Sequence, residues 1–341
     1  MAAADLNLDG WPDLVAANQG EATLSVALAS GSGAFHSATS YAVSTAGPYD
    51  VAVGDFNGDG YPDLASANFG ASSGAPYGTT VSVLLNQGNG SFASYTDYTV
   101  SATSTDKVRA IATGDLNGDG YLDLVAATQS GTLAVLLGKG DGTFQSYTSY
   151  SVGSAAHGVV LADFNQDGHL DAAVASNSSA GKVYVLLGKG DGTFGTATSY
   201  STGSGTFALA AGDFNGDGYP DLVTANATAG TLSVLLNAGA TSPGTFGGNT
   251  DLTTASDPVA VTVADLNSDG TPDILVSTNS GGVTDLFFGV GDGTFGSAQA
   301  LATGSGSYHS AVADFDGDGT PDIASASTSG ALSLYKGSCS N

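Results

Sequence analysis

The sequence predicts an all-β fold, a seven-bladed β-propeller of four-stranded antiparallel blades. Three observations carry that prediction. A nine-residue acidic segment recurs seven times, at intervals of 50, 60, 48, 50, 52 and 49 residues. Short apolar runs accompany each copy. Glycine, 51 of 341 residues, gathers between the runs. Strands of about five residues, four to a unit and repeated about every 50, are the arithmetic of a propeller blade.

Each unit reads as four strands in order. The first is the apolar run before the acidic segment, as in Val51-Ala52-Val53 or Val261-Thr262-Val263. The second follows it, as in Leu124-Val125-Ala126-Ala127. A Gly/Ser/Asn-rich link leads to a third, as in Leu232-Ser233-Val234-Leu235-Leu236. A tight turn such as Gly138-Lys139-Gly140-Asp141-Gly142 leads to the fourth, where Phe is followed six residues later by Tyr or Leu: Phe35/Tyr41, Phe92/Tyr98, Phe144/Tyr150, Phe194/Tyr200, Phe246/Leu252 and Phe295/Leu301. An even offset places each pair on one face of a strand. A parallel β-helix is the rival architecture, but its coils are shorter and lack these up-and-down turns. The one long interval holds an insertion, Phe69 to Thr80, and a longer stretch near Ser101 to Lys107. One domain is expected over 1–341. Its first blade has only Ala2 to Ala4 before the acidic segment, and its last has nothing recognisable as a fourth strand after Leu332-Ser333-Leu334-Tyr335.

Charge narrows the functions. The net charge is −26, with six Lys and Arg against 32 Asp and Glu. That excludes a basic nucleic-acid footprint and a polybasic membrane patch. No apolar run is long enough to span a membrane. Met1-Ala2-Ala3-Ala4-Asp5 carries neither the basic nor the apolar region of a signal peptide. The single cysteine, Cys339, allows no disulfide within the chain and reads as a free thiol. His36 and His169 read as surface residues.

Most of the acidity is positional: 22 of the 32 acidic residues lie in the seven segments at 5–13, 55–63, 115–123, 163–171, 213–221, 265–273 and 314–322. The pattern D-x-[ND]-x-D-G-x-x-D puts oxygens at positions 1, 3, 5 and 9 and a glycine at the sharp turn, close to the opening of an EF-hand loop. The side-chain ligands are Asp5, Asn7, Asp9 and Asp13 in the first; Asp55, Asn57, Asp59 and Asp63 in the second; and Asp115, Asn117, Asp119 and Asp123 in the third. Asp163, Asn165, Asp167 and Asp171 serve the fourth; Asp213, Asn215, Asp217 and Asp221 the fifth; Asp265, Asn267, Asp269 and Asp273 the sixth; and Asp314, Asp316, Asp318 and Asp322 the seventh. Position 7 offers a backbone carbonyl: Trp11, Tyr61, Tyr121, His169, Tyr219, Thr271 and Thr320. Hard oxygens without His side chains or Cys select Ca²⁺, up to seven ions; Mg²⁺ tolerates an all-protein cage poorly. Seven such ions would bring the balance from −26 to about −12. Plain Asn-Gly and Asp-Gly turns explain the glycines but not three carboxylates per loop, which repel one another without a cation. Asp316 adds a further charge, so the seventh loop is expected to bind most tightly. The metal is expected to be structural.

The unit VAVGDFNGDGYPDLASAN…VSVLLNQGNGSF resembles the FG-GAP/VCBS repeat of integrin α subunits and bacterial secreted proteins. The resemblance covers essentially the whole chain. It implies a seven-bladed propeller with calcium loops on one face and an extracellular or cell-surface setting. The FG and GAP tripeptides appear only loosely, as in Phe194-Gly195 and Ala46-Gly47-Pro48. Such propellers also occur as fungal lectins and in polysaccharide lyases, so the fold leaves function open.

A ligand site is expected on the face opposite the calcium loops. Larger residues recur six positions before each loop: Tyr49, Arg109, His157, Phe207, Val259 and Tyr308, with His309, Lys107 and Asp106 close by. The alternative is that these side chains plug the channel. A second candidate is the set Trp11, Tyr61, Tyr121 and Tyr219, which either stack on sugars or pack over the following residue. Asp141, Asp191 and Asp292 read as turn formers. The function expected is a monomeric module that binds a protein or glycan and is not an enzyme. The alternatives are a structural spacer, and a polysaccharide lyase or hydrolase using His157, His309 and Arg109.

Overall fold

The computed structural model describes residues 1–70, 77–255, 257–280, 282–303, 306–327 and 332–337. Cys339 and most of the insertion after Gly70 lie outside the described residues. The chain forms seven antiparallel sheets, each built from consecutive strands in sequence order. Six have four strands and the last has three. A single 3-10 turn, Gly239–Thr241, is the helical element among the described residues.

The innermost strands are Ala2–Ala4, Pro48–Gly54, Val108–Gly114, Ala156–Ala162, Thr206–Gly212, Pro258–Ala264 and Ser307–Ala313. Each touches the next, and Ala2–Ala4 touches both Pro48–Gly54 and Ser307–Ala313, which closes a ring about a central channel. The second strands are covered on both faces, and in blades two to six every residue is buried, as in Asp123–Thr128. Their alanines and valines suit the narrow space between neighbouring sheets. The fourth strands, such as Thr148–Ser151, are exposed and polar.

The Phe/Tyr pairs sit differently from the sequence expectation. Each Phe lies in an isolated bridge ahead of the fourth strand, as Phe144 does with Gly138. Its ring packs on the preceding blade: Phe144 meets Tyr98 and Phe56 at 5.3 and 5.6 Å, and Phe246 meets Tyr200 and Phe164 at 5.4 and 5.5 Å. The pairs are therefore joints between blades, and edge-on contacts of this kind add about 0.5–1.5 kcal/mol each beyond area burial.

A hydrogen bond accompanies each joint. The turn before the fourth strand donates to the carbonyl at position 2 of the preceding blade's acidic loop. Gly142 N reaches Phe56 O at 3.0 Å, Gly192 N reaches Leu116 O at 3.0 Å and Gly293 N reaches Phe214 O at 2.8 Å. In blades two and five a side-chain amide substitutes: Asn86 Nδ2 to Leu6 O and Asn237 Nδ2 to Phe164 O, both 2.8 Å. Blade one closes on blade seven by the same contact, Gly33 N to Phe315 O at 2.9 Å. Phe35 lies 5.6 Å from Phe315 at that junction. Among the described residues no strand is exchanged between the two blades: each sheet keeps its own consecutive strands.

Only glycine fits the donor position. Gly142 has φ +78°, and a Cβ there would come within 2.8 Å of Leu85 Cδ1. Gly142→Ala is expected to lower unfolding free energy by about 1–3 kcal/mol through strain and overpacking. Gly248→Ala, with nothing within 4 Å, should stay within about 0.5 kcal/mol of the parent. Urea unfolding of the two variants measures the difference.

Candidate functional site

The acidic loops share one local structure, set by their carboxylates. In the second loop, Asp55 Oδ1 accepts from Gly58 N and Asp59 N, and Oδ2 accepts from Gly60 N at 2.8 Å. Asp59 Oδ1 accepts from Tyr61 N at 2.9 Å, while Asn57 Nδ2 donates to Asp59 Oδ2 at 2.9 Å. The other loops repeat the bonds from position 6 to position 1 and from position 7 to position 5.

Position 9 is different in kind. Asp13, Asp63, Asp123, Asp171, Asp221, Asp273 and Asp322 are each fully buried. One oxygen accepts from the N–H at position 2 of its own loop, as Phe56 N does to Asp63 at 2.9 Å. The other accepts from the residue that opens the third-to-fourth turn, as Asn86 N does to Asp63 at 2.7 Å. Burial pushes the carboxyls of Asp63, Asp123, Asp171 and Asp221 up to about 6, against the lowering by these N–H donors. Asp13 and Asp273 shift in the same direction for the same reason.

In the seventh loop, carboxylate oxygens of Asp314, Asp316 and Asp322 come within 4.8 Å of one another. Asp316 replaces the Asn of the other loops, and Lys336 Nζ stands 3.0 Å from its Oδ2, the ion pair found among the described residues. The extra charge that singles out this loop in the sequence is thus matched by a lysine from its own blade.

The position-7 side chains cover glycines of the following turn. A Cβ on Gly31, Gly88, Gly140 or Gly190 would meet Trp11, Tyr61, Tyr121 or His169. Each of these rings thus packs against a turn glycine. His169 is an exposed member of this series, though its ring has this packing partner. Asp141, Asp191 and Asp292 form turns as expected, each accepting from the Thr two residues on.

At the opposite end of the inner strands the expected residues come together. Tyr49, Arg109, His157, Phe207, Val259, Tyr308 and His309 all line a cavity of about 930 Å³ on the ring axis. Its lining extends to Ala16 and Ser25 of blade one and Ala326 and Leu332 of blade seven. In blades two to seven the first strand carries a β-bulge, and the unpaired residue is Tyr49, Arg109, His157, Phe207, Val259 or Tyr308 in turn. A bulge re-aims a side chain out of the pleat, which delivers these six residues to the mouth.

Contacts within the mouth are aromatic and cationic. Phe69, the first residue of the insertion, stacks on Tyr49 at 5.1 Å. The Arg109 guanidinium lies 4.4 Å from the Phe69 centroid and 5.6 Å from that of Tyr49, and Lys107 Nζ lies 4.3 Å from Phe69. His157 packs 4.1 Å from Phe207 and 6.3 Å from Tyr49. Burial, and then the Arg109 charge, push the His157 imidazole down to about 3, so it is neutral at pH 7. Burial also lowers the Arg109 pKa and raises that of Tyr49. Arg109 Nε and His157 Nδ1 are buried without a hydrogen-bond partner. Asp106 takes no part: it is buried and accepts from Ser101 Oγ at 2.7 Å and Ser130 Oγ at 2.6 Å. Sequence reasoning missed Phe69 as the lid of Tyr49 and Asp50 as a lining residue. The insertion that Phe69 opens was the available signal.

Seven sheets closed about an axis, with an acidic loop on each blade and a varied ring at the opposite mouth, define a repeat propeller. The chain belongs to the FG-GAP-like repeat family, whose model matches residues 5–66, 69–126, 115–174, 163–224, 213–276 and 275–325. Among curated proteins no sequence matches it. Solved structures share its fold. BBS1N, crystallised in complex with ARL6DN, is 13% identical with a TM-score of 0.68, over 99% of this chain and 92% of that one. An Agrocybe aegerita lectin that recognises non-reducing terminal N-acetylglucosamine is 20% identical with a TM-score of 0.59, over 98% and 84%. A protein of unknown function from Desulfotomaculum acetoxidans is 12% identical with a TM-score of 0.63, over 96% of each.

Asp123→Asn tests the buried carboxylate. An amide nitrogen would face one of two N–H donors, Leu116 N or Gly138 N, and leave it unpaired. The expected loss is about 1–3 kcal/mol in urea unfolding with chelator present, so that lost metal does not contribute. Asp141→Asn, at an exposed turn, should change little.

Proposed function

We propose that the chain is a calcium-stabilised extracellular propeller that binds a protein or glycan at its axial mouth. The observation that carries the reading is the bulged ring: six strands deliver a varied set of side chains, Tyr, Arg, His, Phe, Val and Tyr, to one cavity, whereas the loops at the other end are nearly identical. Sites built on loops and strand ends of a rigid scaffold commonly vary while the scaffold repeats. Two relatives of the same fold, one complexed with a protein and one a lectin, accord with a binding role. A spacer with no ligand, and a polysaccharide lyase or hydrolase, are the alternatives. A screen of glycans and of candidate protein partners, paired with an assay for polysaccharide cleavage, separates the three. Saturable binding weakened by Arg109→Gln supports the module; cleavage marks the enzyme; neither leaves the spacer.

The loop residues fit Ca²⁺. Their donors are carboxylate and amide oxygens, and in the seventh loop carboxylate oxygens of Asp314, Asp316 and Asp322 already lie within 4.8 Å of one another. Each carboxylate oxygen that accepts a single N–H, such as Asp55 Oδ2 from Gly60 N, keeps a second lone pair for a cation. The cation would supply the charge that the buried ninth-position carboxylates lack. A site that binds only the folded form contributes about 2.7 kcal/mol when calcium is 100-fold above Kd. Chelation is therefore expected to lower the thermal midpoint, with recovery on adding calcium but not equimolar magnesium. Calorimetric titration should count up to seven sites.

Lys336→Ala removes the positive charge beside Asp316 and should tighten the seventh site. The expected change is a several-fold lower Kd for one site, read by calorimetry, with the other sites unmoved.

A further inference from the structure

We propose that the axial cavity receives a saccharide carrying a carboxylate, the acid group held by Arg109 and the sugar face by Tyr308. This rests on the binding-module reading above and narrows its ligand.

Charge is the first reason. Arg109 is the single arginine in a chain with 32 acidic residues. Among the described residues it pairs with none of them. Its Nη2 meets Gln129 Oε1 at 3.3 Å, its face lies on Phe69 and Tyr49, and its Nε is buried without a partner. The carboxylate that does line the cavity, Asp50, already accepts from Val51 N at 2.9 Å and Ile111 N at 3.2 Å. A half-buried guanidinium between aromatic walls attracts an anion far more than one in water does. Its planar fork matches a carboxylate in two-point geometry. Lys107, its Nζ 4.3 Å from the Phe69 ring, adds a second positive charge near this mouth.

The remaining groups suit a sugar. His157 is 6% exposed, neutral at pH 7, and its Nδ1 has no partner, so it can bond one hydroxyl. Tyr308 is 44% exposed and enters from blade seven, across the ring from Arg109 on blade three. A ring so placed offers its face to the apolar side of a pyranose. Beneath the mouth the wall is made of small residues such as Ala110, Gly158 and Ala208, which leave depth for a chain end. The cavity, about 930 Å³, is at the upper end of the roughly 300–1,000 Å³ usual for small-ligand sites.

The test is calorimetry in saturating calcium with oligosaccharides ending in glucuronate, galacturonate or N-acetylneuraminate. Each is paired with its carboxyl-reduced counterpart. A peptide set with free or amidated C-termini forms a second arm. The expected result is binding of at least one acidic sugar, at least tenfold weaker for its reduced form and for Arg109→Gln, with partial recovery in Arg109→Lys. Tyr308→Ala should weaken it severalfold. Circular dichroism and the thermal midpoint show that the variants are folded. Equal affinity for acidic and reduced sugars overturns the acid clamp while leaving the binding module standing. Binding of free-carboxylate peptides alone overturns the saccharide but not the module. Silence from every sugar and peptide overturns the proposal, and then the partner screen described above decides the module itself.

Discussion

The buried aspartate at the ninth loop position is the constraint on which the rest of the molecule depends. Its two oxygens join parts of a blade that are far apart in sequence. In blade five, Asp221 accepts from Phe214 N, seven residues before it, and from Asn237 N, sixteen after it. The first bond shapes the acidic loop, and the second places the turn before the fourth strand. That turn then reaches the preceding blade, where Asn237 Nδ2 meets Phe164 O. One carboxylate thus sets the blade and, through the turn, the spacing between blades. The cost is burial of a charge, which shows in the raised carboxyl pKa. On the calcium reading proposed above, this one carboxylate would serve both the scaffold and the metal site.

The two ends of the ring use the repeat in opposite ways. At the loop end, repetition is the purpose: the same bonds recur because each loop must solve the same packing problem. At the other end a common backbone feature, the bulge, presents a varied set of side chains from six blades. Symmetry in the backbone with asymmetry in the side chains converts a structural repeat into a site of defined chemistry. The aromatic and cationic groups cluster on blades two to five, through Phe69, Tyr49, Arg109, His157 and Phe207, so the mouth has a charged side and, at Tyr308, an open side.

Much of this was legible in the sequence because the signals were periodic. The loop spacing showed seven blades, and the apolar runs showed four strands apiece. The ring residues were visible as one slot, six positions before each loop, filled by Tyr, Arg, His, Phe, Val and Tyr. The bulge at that slot was not legible, because it is an offset in pairing and leaves no residue type behind. The same holds for the Phe/Tyr pairs. Their spacing suggested two neighbours on one strand, yet Phe144 faces Tyr98 of the preceding blade rather than its own Tyr150. Period alone cannot show which of two equivalent tyrosines a ring meets, since translation by one repeat leaves the pattern unchanged. Lys336 was hidden for the complementary reason: it occurs in one blade, and its role appears only when it is seen beside Asp316.

That single pair bears on how the ring holds together. Among the described residues blade seven has three strands, and no strand passes between it and blade one. Closure among the described residues rests on Ala2–Ala4 against Ser307–Ala313, on the apolar cluster that joins Leu14 and Phe35 to Phe315, and on the bond from Gly33 N to Phe315 O. Lys336 Nζ also reaches Ser32 O at 3.3 Å, across the same junction, while pairing with Asp316. Asp316 and Phe315 belong to the seventh acidic loop, so loop and ring closure share residues. In the other loops an asparagine at position 3 satisfies the fifth-position carboxylate from within. Here an aspartate takes its place, and the balancing charge comes from a lysine that also touches blade one. Charge in the seventh loop and closure of the ring are therefore coupled through one side chain, which no other blade provides among the described residues.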